Sequence, residues 1–191
     1  MLDIVEYIKN NDLEKVKQCI EKDNSLVDAR DEESRFTLLM ICAKKGYFEM
    51  TKLLVENGAN LNSRSKTGLT ALMFACAEKQ IEIAKYLIDC GADVNLRDRP
   101  MFSALLYGSL TKEHSIINYL IENGADVNAK NFKLVTSLMF AAGIGDLETV
   151  KILIENGADI NLKNKDGENA LDIAINKGQK ETVEFLKKLY E

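Results

Sequence analysis

The sequence predicts an all-α solenoid of stacked helix-turn-helix units, and three repeating features predict it. A shift of 33 residues aligns the 191-residue chain with itself, producing two columns of leucine and a Gly-Ala pair that recurs four times. Such a period is typical of repeat proteins, in which each unit buries its apolar face only against its neighbours. The first column holds Leu39, Leu72, Leu105, Leu138 and Leu171, and the second holds Leu54, Leu87, Leu120, Leu153 and Leu186.

Each unit carries the signals that begin and end two short helices. A hydroxyl residue precedes the first leucine column, and its side chain can accept a hydrogen bond from an amide of the first helical turn. The Gly of each Gly-Ala pair ends the second helix, because glycine takes the left-handed conformation without the cost of about 1–2 kcal/mol that a side chain incurs. Small residues in the first helix let neighbouring helices approach closely. The hydroxyl residues are Thr37, Thr70, Ser103 and Thr136, and the small residues are Cys42, Ala75, Gly108, Ala141 and Ala174.

These units resemble ankyrin repeats. The matching stretches include Thr70-Ala71-Leu72-Met73, Leu87-Ile88 and Gly91-Ala92-Asp93-Val94-Asn95. The resemblance implies a stack of about six helix-turn-helix units with projecting β-hairpins. It covers residues 32–191 well and extends weakly through residues 1–31.

The expected organisation is a single ankyrin repeat domain over residues 1–191. The family's histidine is replaced by Met40 and its equivalents, which predicts a less polar seam between units. The glycine of the hairpin survives at two tips and is replaced by Arg35, Met101 and Leu134 at the others. We expect an N-terminal capping unit at 1–31, full repeats at 32–64, 65–97, 98–130 and 131–163, and a C-terminal capping repeat at 164–191.

Composition excludes several classes of protein. A formal net charge of -5 disfavours non-specific electrostatic binding to nucleic acid. No apolar run approaches the length of a membrane span, and the N-terminus lacks the basic start of a secretory signal. Four cysteines without a CxxC spacing suggest a reducing compartment. We expect a cytoplasmic protein, with export by a route without a cleaved signal left open.

No catalytic, metal or cofactor site is expected. A single histidine, His114, precludes a site with two His ligands in one chain, and its place near the start of a second helix predicts a partly exposed bystander. Cys42 and Cys76 occupy small-residue core positions, Cys19 is expected in the core, and Cys90 is expected to be exposed. The recurring Asp-Val-Asn stretches, such as 93–95, predict turns closed by Asx side chains rather than an acidic site.

A surface is the remaining candidate for function, and it has an apolar and a basic component. Phe36, Leu69, Phe102 and Val135 directly precede the helix caps, where a residue would face solvent. Such a stripe either packs against the next hairpin or marks a binding site. Basic residues recur at the tips, while acidic residues concentrate on the second helices. The candidate partner-binding residues are Arg35, Phe36, Lys44, Lys45, Lys66, Leu69, Glu78, Arg99, Met101, Phe102, Leu110, Phe132, Lys133, Val135, Ile144 and Lys165.

The resemblance implies a non-enzymatic protein-protein interaction module that works as an adaptor, scaffold or inhibitor. The expected partner is a protein of unknown identity that presents an acidic segment with apolar anchors. Neither nucleic acid nor membrane is expected to bind, and we expect a monomer. Two alternatives stay open: a self-associating structural protein, and an exported effector or regulator that acts on another protein. If the stripe is a binding site, Phe102→Ala and Arg99→Glu weaken binding with little loss of thermal stability.

Overall fold

Twelve α-helices alternate with turns and loops through residues 2–189, which are the residues that this computed structural model describes. The chain divides after Arg99 into two compact units, which we call the N-terminal unit and the C-terminal unit. Within each unit the helices come in pairs, each formed by two helices that are consecutive in the chain and pack together. The predicted helical repeat architecture is therefore confirmed, while the domain boundaries and the count of six repeats stay predictions.

The N-terminal unit contains three helix pairs. The first helices of the three pairs pack in a row, and the second helix of the middle pair packs between the other two second helices. A short 3-10 helix at Asn24–Asp28 follows the first pair. The helices are α1 (Leu2–Lys9), α2 (Leu13–Lys22), α3 (Leu38–Lys45), α4 (Phe48–Glu56), α5 (Ala71–Ala77) and α6 (Ile81–Asp89).

The C-terminal unit repeats this arrangement. Its first helices pack in one row and its second helices in another. The helices are α7 (Ala104–Thr111), α8 (His114–Glu122), α9 (Ser137–Ile144), α10 (Leu147–Glu155), α11 (Ala170–Asn176) and α12 (Lys180–Lys187).

The predicted helix caps are confirmed. Each hydroxyl side chain accepts a hydrogen bond from the amide three residues later, as Thr70 does from Met73 at 3.3 Å. Helix α11, the first helix of the last pair, begins instead with a capping box. The side chains of Asn169 and Asp172 each accept a hydrogen bond from the other residue's backbone amide. Asp172 therefore caps a helix at the position where Met40, Met73 and Met139 are buried.

The leucine columns form the core. All five members of the second column are fully buried, and Leu171 alone in the first column is half-buried. The glycines that end the second helices have positive φ, for example 88° at Gly58, and a Cβ atom there would meet nothing within 4 Å. These glycines are thus required by backbone conformation rather than by close packing.

The predicted β-hairpins are not confirmed as paired strands. Between residues 2 and 189 the backbone forms isolated bridges, such as the antiparallel one between Arg30 and Thr37, and no strand. The segments before the first helices are instead short loops. Each is closed by too few backbone hydrogen bonds to make a β-ladder.

Candidate functional site

The loops that precede the first helices carry most of the predicted surface residues, and we call them the tip loops. The N-terminal unit has tip loops at 31–36 and 65–69, and the C-terminal unit has them at 131–135 and 164–168. In each loop the first amide donates to the last carbonyl, as Asn131 does to Val135 at 3.1 Å. The first of these loops is one residue longer than the others, since Asp31 bonds to Phe36 five residues later.

A buried polar side chain fixes the shape of each tip loop. The Asn131 carbonyl oxygen accepts from the amides of Lys133 and Val135 at 2.8 and 2.9 Å. Asn164 does the same in its loop, and the Ser65 hydroxyl does so with longer bonds. Buried acceptors that receive two amides hold a loop in one conformation. Sequence analysis missed these anchors, although Ser65, Asn131 and Asn164 share one column of the repeat.

The first tip loop uses a carboxylate as its anchor. Asp31 forms an ion pair with the Lys9 ammonium at 2.8 Å and accepts from the amide and hydroxyl of Ser34. The bond from Lys9 and those from Ser34 hold the pKa of this carboxyl well below its usual range. Asp31 therefore stays ionised and keeps α1 tied to the loop.

Backbone hydrogen bonds also join tip loops to each other or to neighbouring segments of the same unit. In the N-terminal unit the Arg99 amide donates to the Thr67 carbonyl at 2.8 Å. In the C-terminal unit Phe132 donates to Pro100 at 3.2 Å, and Lys165 donates to Lys133 at 2.9 Å. In the C-terminal unit the Pro100 segment and the two tip loops thus form a connected edge, and less conformational entropy is lost when a partner binds a connected edge than when it binds free loops.

The charged candidates are exposed, and the apolar candidates divide into two groups. The residues that directly precede the caps are half-buried, contrary to the expectation that they face solvent. Exposed candidates are Arg35, Lys44, Lys45, Lys66, Glu78 and Arg99 in the N-terminal unit and Leu110, Phe132, Lys133 and Lys165 in the C-terminal unit. Half-buried candidates are Phe36, Leu69, Met101, Phe102, Val135 and Ile144.

Phe36 and Phe102 pack against aromatic rings of their own units. The ring centroid of Phe36 lies 4.8 Å from that of Phe74 in an edge-on arrangement, and the Lys44 ammonium lies within 6 Å of both rings. Phe102 lies 5.7 Å from Tyr107 and 5.9 Å from Phe140. Such edge-on pairs stabilise a fold beyond simple burial. The packing interpretation of the stripe, which the sequence left open, therefore holds for these two residues.

Other apolar side chains of the C-terminal unit are solvent-exposed. Phe132 is 62% exposed, Leu134 is 41% exposed and Leu110 is 38% exposed. Leu134 also has a φ of 58°, and Met101 has a φ of 68°, where Gly68 and Gly167 occupy the equivalent places. Non-glycine residues rarely adopt this conformation.

The single histidine of the chain pairs with a carboxylate that caps a helix. His114 is partly exposed, as predicted, but it also has a partner, because its Nε2 atom lies 3.1 and 3.2 Å from the two carboxylate oxygens of Asp146. Asp146 in turn caps α10 and accepts from the amide and hydroxyl of Thr149. Burial raises the pKa of Asp146, but the bonds from Thr149 and His114 outweigh it and hold the pKa below its usual value.

The cysteines are placed nearly as predicted. Cys42 and Cys76 are buried, Cys90 is exposed, and Cys19 is half-buried rather than in the core. Burial raises the pKa of the Cys76 thiol to about 12 and raises that of Cys42 as well, which makes both thiols unreactive. Burial, and then a hydrogen bond with Cys90, raises the pKa of Tyr86 to about 12.

Neither a metal cluster nor a membrane span is found among residues 2–189. No three His, Cys, Asp or Glu side chains of that part converge in a way that could hold a metal ion. None of its helices combines the length and the apolar character needed to cross a bilayer.

A family model described as ankyrin repeats in three copies matches residues 4–98 and 105–190. The chain belongs to the ankyrin repeat family. Ankyrin repeats are generally protein-protein interaction modules and are typically non-enzymatic. Over 59 residues the chain is 42% identical to an acyl-CoA-binding domain-containing protein 6 homolog from Dictyostelium discoideum. That match covers 31% of this chain and 20% of the relative, so this ankyrin protein spans about a fifth of the relative's length.

Proposed function

We propose that this ankyrin protein binds one protein partner through its tip loops and the exposed sides of its first helices, as an adaptor, scaffold or inhibitor. The observation that supports the proposal is the set of tip loops fixed by buried anchors such as Asn131, which in the C-terminal unit also form a connected edge. Binding to a fixed edge leaves little conformational entropy to be lost, so modest contacts give useful affinity. The molecule acts by presenting side chains rather than by catalysing a reaction.

Each tip loop carries one exposed basic residue, which can pair with an acidic partner. Arg35 and Lys66 are exposed on the N-terminal unit, and Lys133 and Lys165 are exposed on the C-terminal unit. The first and last loops also carry acidic residues, so the tip loops with a net positive charge are those at 65–69 and 131–135. Complementary charge speeds the encounter with an acidic segment, while apolar anchors supply most of the affinity. We propose that the protein acts as a cytoplasmic monomer that binds neither nucleic acid nor membrane.

Affinity capture from the native cell tests this proposal. Wild type is compared with a variant that carries Lys133→Glu and Lys165→Glu, two exposed changes that disturb no core contact. A control variant carries Lys180→Glu and Lys187→Glu on the exposed side of α12. The expected partner is retained by wild type and the control, lost from the tip-loop variant, and bound directly when purified. Equal retention by all three proteins refutes binding at the tip loops.

Self-association is the second candidate function, and one observation favours it. Ile175 is 49% exposed, whereas Ala43, Cys76, Ser109 and Ala142 are buried at the equivalent places of earlier helices. A large apolar residue left exposed at a core position can be covered by a second copy. Light scattering across a hundred-fold range of concentration decides this, because a mass that rises with concentration in wild type and not in Ile175→Lys favours assembly.

A further inference from the structure

Two exposed apolar side chains of the C-terminal unit, Phe132 and Leu134, lie on the tip loop at 131–135, and the segment with Pro100 and the half-buried Met101 is bonded to this loop. We call Pro100, Met101, Phe132 and Leu134 the tip patch. The hydrogen bond from the Phe132 amide to the Pro100 carbonyl places the loop and the segment side by side. Phe132 is 62% exposed and Leu134 is 41% exposed, which makes them two of the most exposed large apolar residues among those the structure describes. Exposed apolar patches of this kind mark interaction sites more often than they serve the fold.

The backbone conformation of Leu134 suits glycine better than leucine. Its φ of 58° is the left-handed conformation that glycine adopts at the equivalent Gly68 and Gly167. The loop is closed by bonds to Asn131, which do not involve the Leu134 side chain. Leucine at this place is therefore unfavourable for the backbone and only partly buried, so its presence is explained by something other than loop formation. Met101 repeats the pattern with a φ of 68°.

Positive charge surrounds the tip patch. Lys133 and Lys165 are exposed on adjacent loops that a 2.9 Å backbone bond joins, and Lys130 and Lys163 lie on the same two segments. The acidic residues of these segments are Asp166, which is exposed, and Glu168. The Glu168 carboxylate already accepts hydrogen bonds from Asn164 and Asn176 at 3.0 and 2.7 Å. The patch thus combines apolar side chains with a net positive rim.

We propose that the tip patch binds a short acidic protein segment by receiving two of its apolar side chains. Leu134 and Met101 are the specificity-determining residues, and the lysines of the rim pair with the carboxylates of the segment. This inference rests on the proposed function and names the part of the surface and the class of partner. Apolar anchors enclosed by a charged rim are the arrangement in which few residues carry most of the binding energy.

A random 16-residue peptide library displayed on phage and selected on the immobilised full chain tests the inference. The enriched peptides are expected to carry an excess of Asp and Glu and two aliphatic or aromatic residues within one or two helical turns of each other. Leu134→Gly is expected to lower their affinity at least about ten-fold, as loss of a central anchor does. The melting temperature is not expected to fall, because glycine suits the left-handed backbone.

Two further variants separate the side chain from the backbone. Lys112 also has a left-handed φ of 58° but ends α7, outside the tip loops, so Lys112→Gly is the matched control and keeps the affinity within about two-fold. Leu134→Met keeps an apolar side chain and is expected to retain binding. Peptides without the acidic and apolar signature, equal binding by Leu134→Gly, or the absence of enriched peptides would each overturn the inference. Peptides that Leu134→Gly binds normally but that Arg35→Glu with Lys66→Glu loses would leave the proposed function standing.

Discussion

Replacing Phe102 by alanine tests whether the apolar stripe packs or binds. The ring contacts Tyr107 and Phe140 at centroid distances of 5.7 and 5.9 Å, and the residue is half-buried. Truncation of a fully buried Phe costs about 3–5 kcal/mol, and loss of two ring pairs costs about 0.5–1.5 kcal/mol each. For a half-buried residue we therefore expect Phe102→Ala to lower the free energy of unfolding by about 2–3 kcal/mol.

Phe132→Ala is the matched comparison, because the same atoms are removed from a residue that is 62% exposed. Surface truncations of this kind change stability by about 0.5 kcal/mol or less. Urea unfolding followed by circular dichroism measures both variants with one probe, and equal slopes with denaturant show that the same surface unfolds. Equal loss in the two variants, or a larger loss in Phe132→Ala, would refute the packing assigned to Phe102. The stability-neutral outcome expected from sequence for Phe102→Ala is accordingly replaced by a destabilising one.

Three further predictions concern the helices. Leu87 is fully buried in α6, so Leu87→Ala is expected to cost about 2–5 kcal/mol in urea unfolding, and a negligible loss would contradict the core assignment. A Cβ atom at Gly108 in α7 would meet Ile116 and other side chains at 3.6 Å or more, so Gly108→Ala is expected to raise stability by about 0.5–1 kcal/mol, which a lower melting temperature would contradict. The lowered pKa of Asp146 contributes stability above its unfolded value of 3.8, and this contribution is lost as the pH falls through the folded value. Unfolding of wild type and Asp146→Asn between pH 6 and pH 2.5 is therefore expected to show a stability difference that shrinks on acidification, and a constant difference would rule out this carboxylate as the source.

The helices could be predicted from sequence because their determinants are local and periodic. Thr70 caps α5 through an amide three residues away, and Leu87 is buried because its column faces neighbouring helices in every unit. The glycine at 58 ends α4 through its own backbone conformation. Each of these effects recurs every 33 residues, so one chain contains several independent examples of the same signal.

The tip loops were harder to predict because their contacts join different repeats. Phe36 is half-buried because it packs against Phe74, which lies 38 positions later in helix α5. In the sequence the anchor at Asn131 belongs to a repeat position that is polar in each unit but differs in residue type, so it gives only a weak signal. The left-handed backbone conformation of Leu134 could have been inferred from Gly167 in the same column. Leucine rarely adopts that conformation, however, so the residue type alone predicts a different one. Paired strands were expected from family resemblance, and the loops are too short to form them.

Amide hydrogen exchange on the complex with a captured partner tests the central claim, that the protein binds another macromolecule through its tip loops. We expect partner-induced protection in residues 131–135 and 164–168 and along the exposed sides of the first helices, with unchanged exchange in α8, α10 and α12. Protection concentrated on those second helices, with no change at the tip loops, would contradict the account.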